Sequence, residues 1–208
     1  MHSRSKIFAP AILIALLVLA PLANAASTDL KTIPSGAYVL DTNHASIVFR
    51  ILHLGFANYT GRFNKFSAKL DFNTAMPEAS KLEVTIDPNS VDTNNDKLQS
   101  ELRDVKYFNI SKFPEWTFVA KKIERTGPTT GKITGDFTML GVTHSLTLDT
   151  TLIGGGEHPM MKTPTIGFSA TGLLKRSDYG LTAGIPFVGD EVSFQIDAEF
   201  NTAPATTP

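Results

Sequence analysis

The amino-acid sequence predicts an all-β domain of antiparallel strands carrying one short amphipathic helical segment. Three observations support this. Apolar and polar residues alternate with a period of two in segment after segment, turn-forming residues separate those segments, and a single stretch repeats at helical spacing. Strands with one apolar and one polar face suit an antiparallel sheet, because a parallel sheet covered on both sides reads as unbroken apolar runs.

The strands follow in chain order. In the run from Ile47 to Leu54, Ile47, Phe49, Ile51 and His53 share a face, and Arg50 marks the other face as the one nearer water. Phe66, Ala68, Leu70 and Phe72 alternate with Lys65, Ser67, Lys69 and Asp71, and Leu82, Val84 and Ile86 with Lys81, Glu83, Thr85 and Asp87. Further on, Ile133, Phe137 and Met139 form an apolar face, as do Leu146, Leu148 and Leu152, and then Val192, Phe194, Ile196 and Ala198. Asn73 to Pro77, Asp87-Pro88-Asn89, Gly127-Pro128, Gly154-Gly155-Gly156 and Gly189-Asp190 carry turn chemistry between them. About eight runs of this kind are compatible with either a sandwich or a closed barrel.

The helical stretch spans Asp96 to Phe108. Thr93 to Asn95 offer capping side chains, Leu98, Leu102 and Val105 recur at i, i+4 and i+7, and Phe108 follows one turn later. Such a helix presses its apolar stripe against a sheet or across a barrel mouth.

The two ends of the chain read differently from its middle. Arg4 and Lys6 precede an apolar run from Ile12 to Ala20 that is too short to span a bilayer, and Ala23-Asn24-Ala25 is a small-residue cleavage pattern. Residues 1–25 are therefore expected to be a signal peptide that sends the protein to the periplasm. Residues 26–36 are expected to be a linker, 37–201 the folded domain and 202–208 a flexible tail. No later segment is apolar enough to anchor the chain stably in a membrane.

Net charge is −1 for the whole chain, and about −3 once Arg4 and Lys6 are removed. With no basic block, nucleic acid is not an expected partner. The chain has no cysteine, so stability has to come from the core and from sheet closure.

Catalytic and metal-binding patterns are weak. Gly167-Phe168-Ser169-Ala170-Thr171-Gly172 has one residue too many for a nucleophile elbow and lies in an alternating strand. After residue 25 the histidines are His44, His53, His144 and His158, none at metal-ligand spacing from another. His158-Pro159-Met160-Met161 gathers soft donors, but a glycine-flanked loop is the plainer reading. No enzyme activity, metal or cofactor is expected.

The domain is rich in large aromatics, including Phe49, Phe56, Phe63, Phe66, Phe72, Phe108, Phe113, Trp116, Phe118 and Phe137. Such residues fill a solid core or line a cavity, and composition does not decide between the two.

A resemblance bears on that choice. Tyr38-Val39-Leu40-Asp41, His44-Ala45, His53-Leu54-Gly55, Gly61-Arg62-Phe63, Ser90-Val91-Asp92-Thr93, Leu102-Arg103, Tyr107-Phe108 and Lys112-Phe113-Pro114 occur in order. Gly135-Asp136-Phe137-Thr138, Gly141-Val142-Thr143, Arg176-Ser177-Asp178-Tyr179-Gly180 and Gly189-Asp190-Glu191-Val192 complete the set. This ordered set resembles the YceI-like family of exported polyisoprenoid-binding proteins. His144-Ser145 stands where the family usually shows Lys-Pro, in what reads as a turn, and the loop from Gly154 to Pro164 looks individual to this chain.

The resemblance implies a lipocalin-like barrel that binds a polyisoprenoid, a quinone or a related lipid without enzymatic turnover. It implies a lumen lined by Phe49, Ile51, His53, Phe63, Phe66, Leu98, Leu102, Phe108, Trp116, Phe118, Phe137, Met139, Leu146, Leu148, Phe194 and Ile196. His53 is the candidate for meeting the lipid head group, and Arg176 with Asp178 reads as an ion pair or turn clamp. Asp41 and His44 are expected to fix the first turn. Association as a homodimer is left open.

Overall fold

The computed structural model of the protein describes residues 26–203. The expected signal peptide and residues 204–208 of the expected tail lie outside the described residues.

Ten strands and one α-helix follow the alternation closely. The strands are β1 (Gly36–His53), β2 (Ala57–Phe63), β3 (Phe66–Phe72), β4 (Lys81–Ile86), β5 (Val91–Asp92), β6 (Trp116–Arg125), β7 (Thr130–Met139), β8 (Val142–Glu157), β9 (Pro164–Lys175) and β10 (Val188–Thr202). The helix, α1, spans Asp96–Arg103 between β5 and β6. All pairings are antiparallel, and the order β10-β9-β8-β7-β6-β4-β3-β1 closes on itself because β1 also pairs with β10. The protein is a closed eight-stranded antiparallel barrel, with β2 and β5 continuing the sheet beyond β1.

Strand β1 organises the wall. Its first part, Gly36 to Val39, pairs with β3, and its second, Ile47 to His53, pairs with β2. Along its other edge it meets β10, from Tyr38 opposite Thr202 to His53 opposite Val188. The ladder shifts register between Leu40 and Ala45. There Asp41 accepts hydrogen bonds from the Asn43 amide (2.9 Å) and the Asn201 side chain (3.2 Å), and its Oδ2 lies 3.0 Å from His44 Nδ1. Asp41 and His44 therefore hold a bulge inside a strand, where a turn was expected. The His44 contact, followed by the Asn43 and Asn201 bonds, lowers the Asp41 pKa against some desolvation, and the same contact raises that of His44.

Three further expectations are corrected. Gly154-Gly155-Gly156 is not a turn: all three continue β8, with a register shift between Leu152 and Gly154. Gly189 and Asp190 likewise lie within β10. The helix ends at Arg103, because Asp104 leaves helical geometry, and Val105 is exposed while Phe108 is buried beyond a turn. Asn95 caps the start of α1 by accepting from the Leu98 amide at 3.1 Å.

Residues 26–36 pack on the barrel as well. Ser27 bridges Gly155, Leu30–Thr32 form a 3-10 turn, and Ile33 is buried among Tyr38, Leu70 and Phe200. A short run with a single deeply buried side chain looks polar in sequence, so this stretch reads as a linker. At the far end β10 runs to Thr202, one residue past the expected domain boundary.

Closure makes β10 a central strand, paired on both sides at Ser193 by Arg50 and Leu173. Ser193→Pro removes an amide donor where no edge is free, at a cost of about 3 kcal/mol or more. We expect a melting temperature lower by roughly ten degrees or more, or loss of soluble protein. A variant melting like the parent would contradict a closed barrel.

Candidate ligand cavity

The barrel encloses two apolar chambers. The larger, about 540 Å³, lies at the end that holds α1. The smaller, about 170 Å³, lies at the end that holds the β6–β7 turn. Ile47, Val84, Leu148 and Ile196 line both, and so form a waist between them. Each comes from a different strand (β1, β4, β8 and β10), and each belongs to the face that the alternation assigns to the interior.

Fifteen of the residues expected to line a lumen face the larger chamber: Phe49, Ile51, His53, Phe63, Leu98, Leu102, Phe108, Trp116, Phe118, Phe137, Met139, Leu146, Leu148, Phe194 and Ile196. Phe66 lines the smaller one. Sequence reasoning missed that second chamber as a separate space, although it had already put Ala68, Leu70 and Phe72, which line it, on the inner face. It also missed Tyr59 and the segment from Leu181 to Val188, which has no alternation to reveal it.

Two phenylalanines lie along the wall because a glycine faces them. Phe49 pairs with Gly61 and Phe194 with Gly172. A methyl group at either glycine would sit 2.3 Å from the ring. With hydrogen there instead, each ring folds back over its neighbouring strand and leaves the lumen open. Trp116 is the centre of the aromatic wall, with Phe108, Phe63 and Phe137 at 4.9, 5.3 and 6.5 Å, all in edge-on arrangements. Its indole N–H is buried and meets no hydrogen-bond acceptor among the described residues.

At the larger chamber's end, no described strand pairing joins β2 to β6. The segment from Asp87 to Glu115, including β5 and α1, fills that gap. The Arg103 side chain donates to the carbonyls of Asn89 (2.9 Å) and Val91 (3.3 Å), which fixes the end of the helix, while Leu98 and Leu102 face the chamber. The helix thus lies across the barrel mouth, one of the two placements its amphipathic pattern allows.

Few polar groups reach the larger chamber. They are His53 at the end of β1, Tyr59, Thr93, Tyr107, the indole N–H of Trp116 and Arg176. The Tyr59 hydroxyl donates to the Thr93 carbonyl at 3.1 Å. Arg176 is 4% exposed and donates four hydrogen bonds to carbonyls of Leu181, Ala183, Val188 and Gly189, at 2.8 to 3.0 Å. It is a turn clamp that shapes residues 181–189 into one side of the mouth. Burial lowers its pKa, and the nearby Asp190 carboxylate opposes that shift. The expected partner, Asp178, takes no part; Asp190 instead accepts from the Ser177 amide and hydroxyl at 2.9 and 2.7 Å. His144, expected in a turn, lies in β8, where its Nε2 is 3.0 Å from the Asp178 carbonyl and its ring packs edge-on against Tyr179.

Outside the cavity, Asp41, His44 and Glu199 come close enough together to share an ion, but they form an exposed to half-buried cluster already engaged in holding the β1 bulge. His158 Nδ1 accepts from the amides of Met160 and Met161 (3.2 and 3.1 Å), and Met160 is exposed, so this set closes a loop.

Comparison with known proteins agrees with this architecture. Residues 38–200 match the model of the YceI-like domain, well over half of the chain. The chain belongs to the YceI-like family. A UPF0312 protein of Pectobacterium carotovorum is 38% identical over 156 residues, covering 75% of this chain and 80% of that protein. Protein YceI of Salmonella arizonae is 36% identical over the same length, covering 81% of that protein. Among solved structures, a YceI protein of Campylobacter jejuni is 34% identical, with a TM-score of 0.65 over 74% of this chain and 91% of that one. BcnA of Burkholderia cenocepacia shares the fold at 22% identity, with a TM-score of 0.69 over 77% of this chain and 98% of that one.

The cavity can be tested at Ile51, which faces the larger chamber, and at Arg50 beside it, which is exposed. In a packed core Ile51→Trp would cost roughly 1–3 kcal/mol through overpacking. In an open chamber the indole has room, so we expect the melting temperature to be held or raised while hydrophobic probe uptake falls sharply. Arg50→Trp should leave uptake intact. A destabilised Ile51→Trp with normal uptake would contradict an open lumen there.

Proposed function

We propose that the protein binds a long-chain amphiphilic lipid, of the polyisoprenoid or isoprenoid-quinone class, as a non-enzymatic carrier or store. The observation that carries this reading is the pair of apolar chambers meeting at Ile47, Val84, Leu148 and Ile196, with polar side chains confined to the ends. An extended chain passing the waist would occupy both chambers, and each CH₂ taken from water contributes roughly 0.8 kcal/mol. Such a ligand needs few polar contacts, and the larger chamber offers few: His53, Tyr59, Thr93, Tyr107, the Trp116 indole N–H and Arg176. His53 and Tyr59 are placed to meet a polar head while the tail lies in the barrel.

Family membership supports the reading. A domain of Saccharophagus degradans described as polyisoprenoid-binding shares the fold, with a TM-score of 0.60 and 17% identity over 82% of this chain and all of that one. The chemistry of the cavity also favours binding over catalysis, since an apolar wall with a few scattered polar groups shows no nucleophile held beside a base among the described residues. The cleavage pattern at Ala23 to Ala25 supports periplasmic residence.

Protein recovered from the exported fraction tests the whole reading. Its intact mass should correspond to a chain beginning at Ala26, and organic extraction followed by mass spectrometry should release a lipid with a long isoprenoid or acyl chain, at about one per protein. A mass retaining residues 1–25 would contradict export with cleavage. Protein that extracts clean, and still takes up no lipid when mixed with it in detergent, would contradict lipid binding.

A further inference from the structure

Two segments edge the larger chamber's mouth, and neither contains a charged residue. Residues 51–61 and residues 179–189 lack Asp, Glu, Lys and Arg altogether, in a chain that is 19% charged. The fold brings them together: the Leu54 amide donates to the Phe187 carbonyl at 2.7 Å. Each segment has two sides. Inward, His53, Tyr59, Leu181 and Val188 line the chamber. Outward, Phe56 is 89% exposed, Phe187 69% and Leu54 48%. The outward turn of Leu54 and Phe56 is fixed by backbone, because Leu54 and Gly55 both take left-handed conformations (φ 52° and 75°) at the tip of the β1–β2 hairpin. Charged residues return at Arg50 and Arg62 on one segment and at Asp178 and Asp190 on the other, so the apolar zone is confined to the tip.

We propose that this rim docks on a lipid bilayer, with Phe56 and Phe187 inserted among the acyl chains and the chamber mouth opening directly into the membrane. The inference rests on the lipid-binding reading of the cavity. A bilayer fits the rim for three reasons. The exposed rings offer apolar area on two segments that carry no charged side chain of their own for ion-pair recognition. They stand at the opening through which an insoluble ligand passes, so docking there spares the ligand a passage through water. The returning charges limit penetration to the headgroup–acyl boundary, the depth at which amphipathic elements lie.

Phe56→Trp places a fluorescent indole at the rim, and Met76→Trp places one at the opposite end, where Met76 is 58% exposed beside Pro77 of the smaller chamber. Trp116, buried at 4% exposure, gives both the same background. With phosphatidylcholine vesicles at high salt, we expect Phe56→Trp emission to shift to shorter wavelength and to fall roughly twofold or more when the acyl chains are brominated. Met76→Trp should respond to neither. Equal responses at the two ends, or none at Phe56→Trp, would overturn the proposal. A Phe56→Ser, Phe187→Ser double variant should take lipid from vesicles roughly tenfold more slowly, yet load from detergent like the parent. Unchanged uptake from vesicles would likewise overturn it. If the parent takes no lipid even from detergent, the cavity reading fails, and the quenching comparison still decides docking on its own.

Discussion

The pairing of β1 with β10 is the constraint on which the rest depends. It joins the two ends of the domain, from Tyr38 opposite Thr202 to His53 opposite Val188, and turns an open sheet with two edges into a tube. With no cysteine, no covalent staple substitutes for it. Closure also explains why inward side chains from β1, β4, β8 and β10 converge at Ile47, Val84, Leu148 and Ile196 and form a waist. An open sheet would spread the same residues over a flat face.

Closure encloses a space, and the residue types decide whether it is filled. Phe49 and Phe194 are large enough to fill it but lie back over Gly61 and Gly172. Trp116 packs edge to face against Phe63, Phe108 and Phe137 along one wall, supplying stability without occupying the lumen. The polar groups follow the same economy. Arg176 uses its donors on the carbonyls of residues 181–189 and builds the mouth, while His53 and Tyr59 stay at its edge.

The strands were legible because a barrel repeats one rule, apolar in and polar out, at every position. That rule placed Phe49, Ile51, Phe137, Leu146 and Ile196 correctly without any knowledge of which strands are neighbours. It gave no information where the chain leaves the pleat. Gly154 to Gly156 look like a turn because glycine is common in turns, yet here Gly154 and Gly155 pass close under Ala26 and Ile33, where side chains would collide, and Gly156 takes a φ of 149°. Arg176 with Asp178 reads as an ion pair or a turn clamp; Arg176 is the clamp, but its partners are backbone carbonyls, which have no sequence signature. Residues 181–189 form one side of the mouth through that clamp and through the bond from the Leu54 amide to the Phe187 carbonyl. Their one visible mark in the sequence is the absence of charge.

The central claim, that the interior is one apolar tube occupied by a chain, is tested most directly by calorimetric titration with amphiphiles of one head group and increasing tail length. The account predicts a negative heat-capacity change that grows with the tail. Affinity should rise with each added CH₂, by up to roughly 0.8 kcal/mol, and level off once both chambers are full. An affinity independent of tail length, with no heat-capacity change, would contradict it.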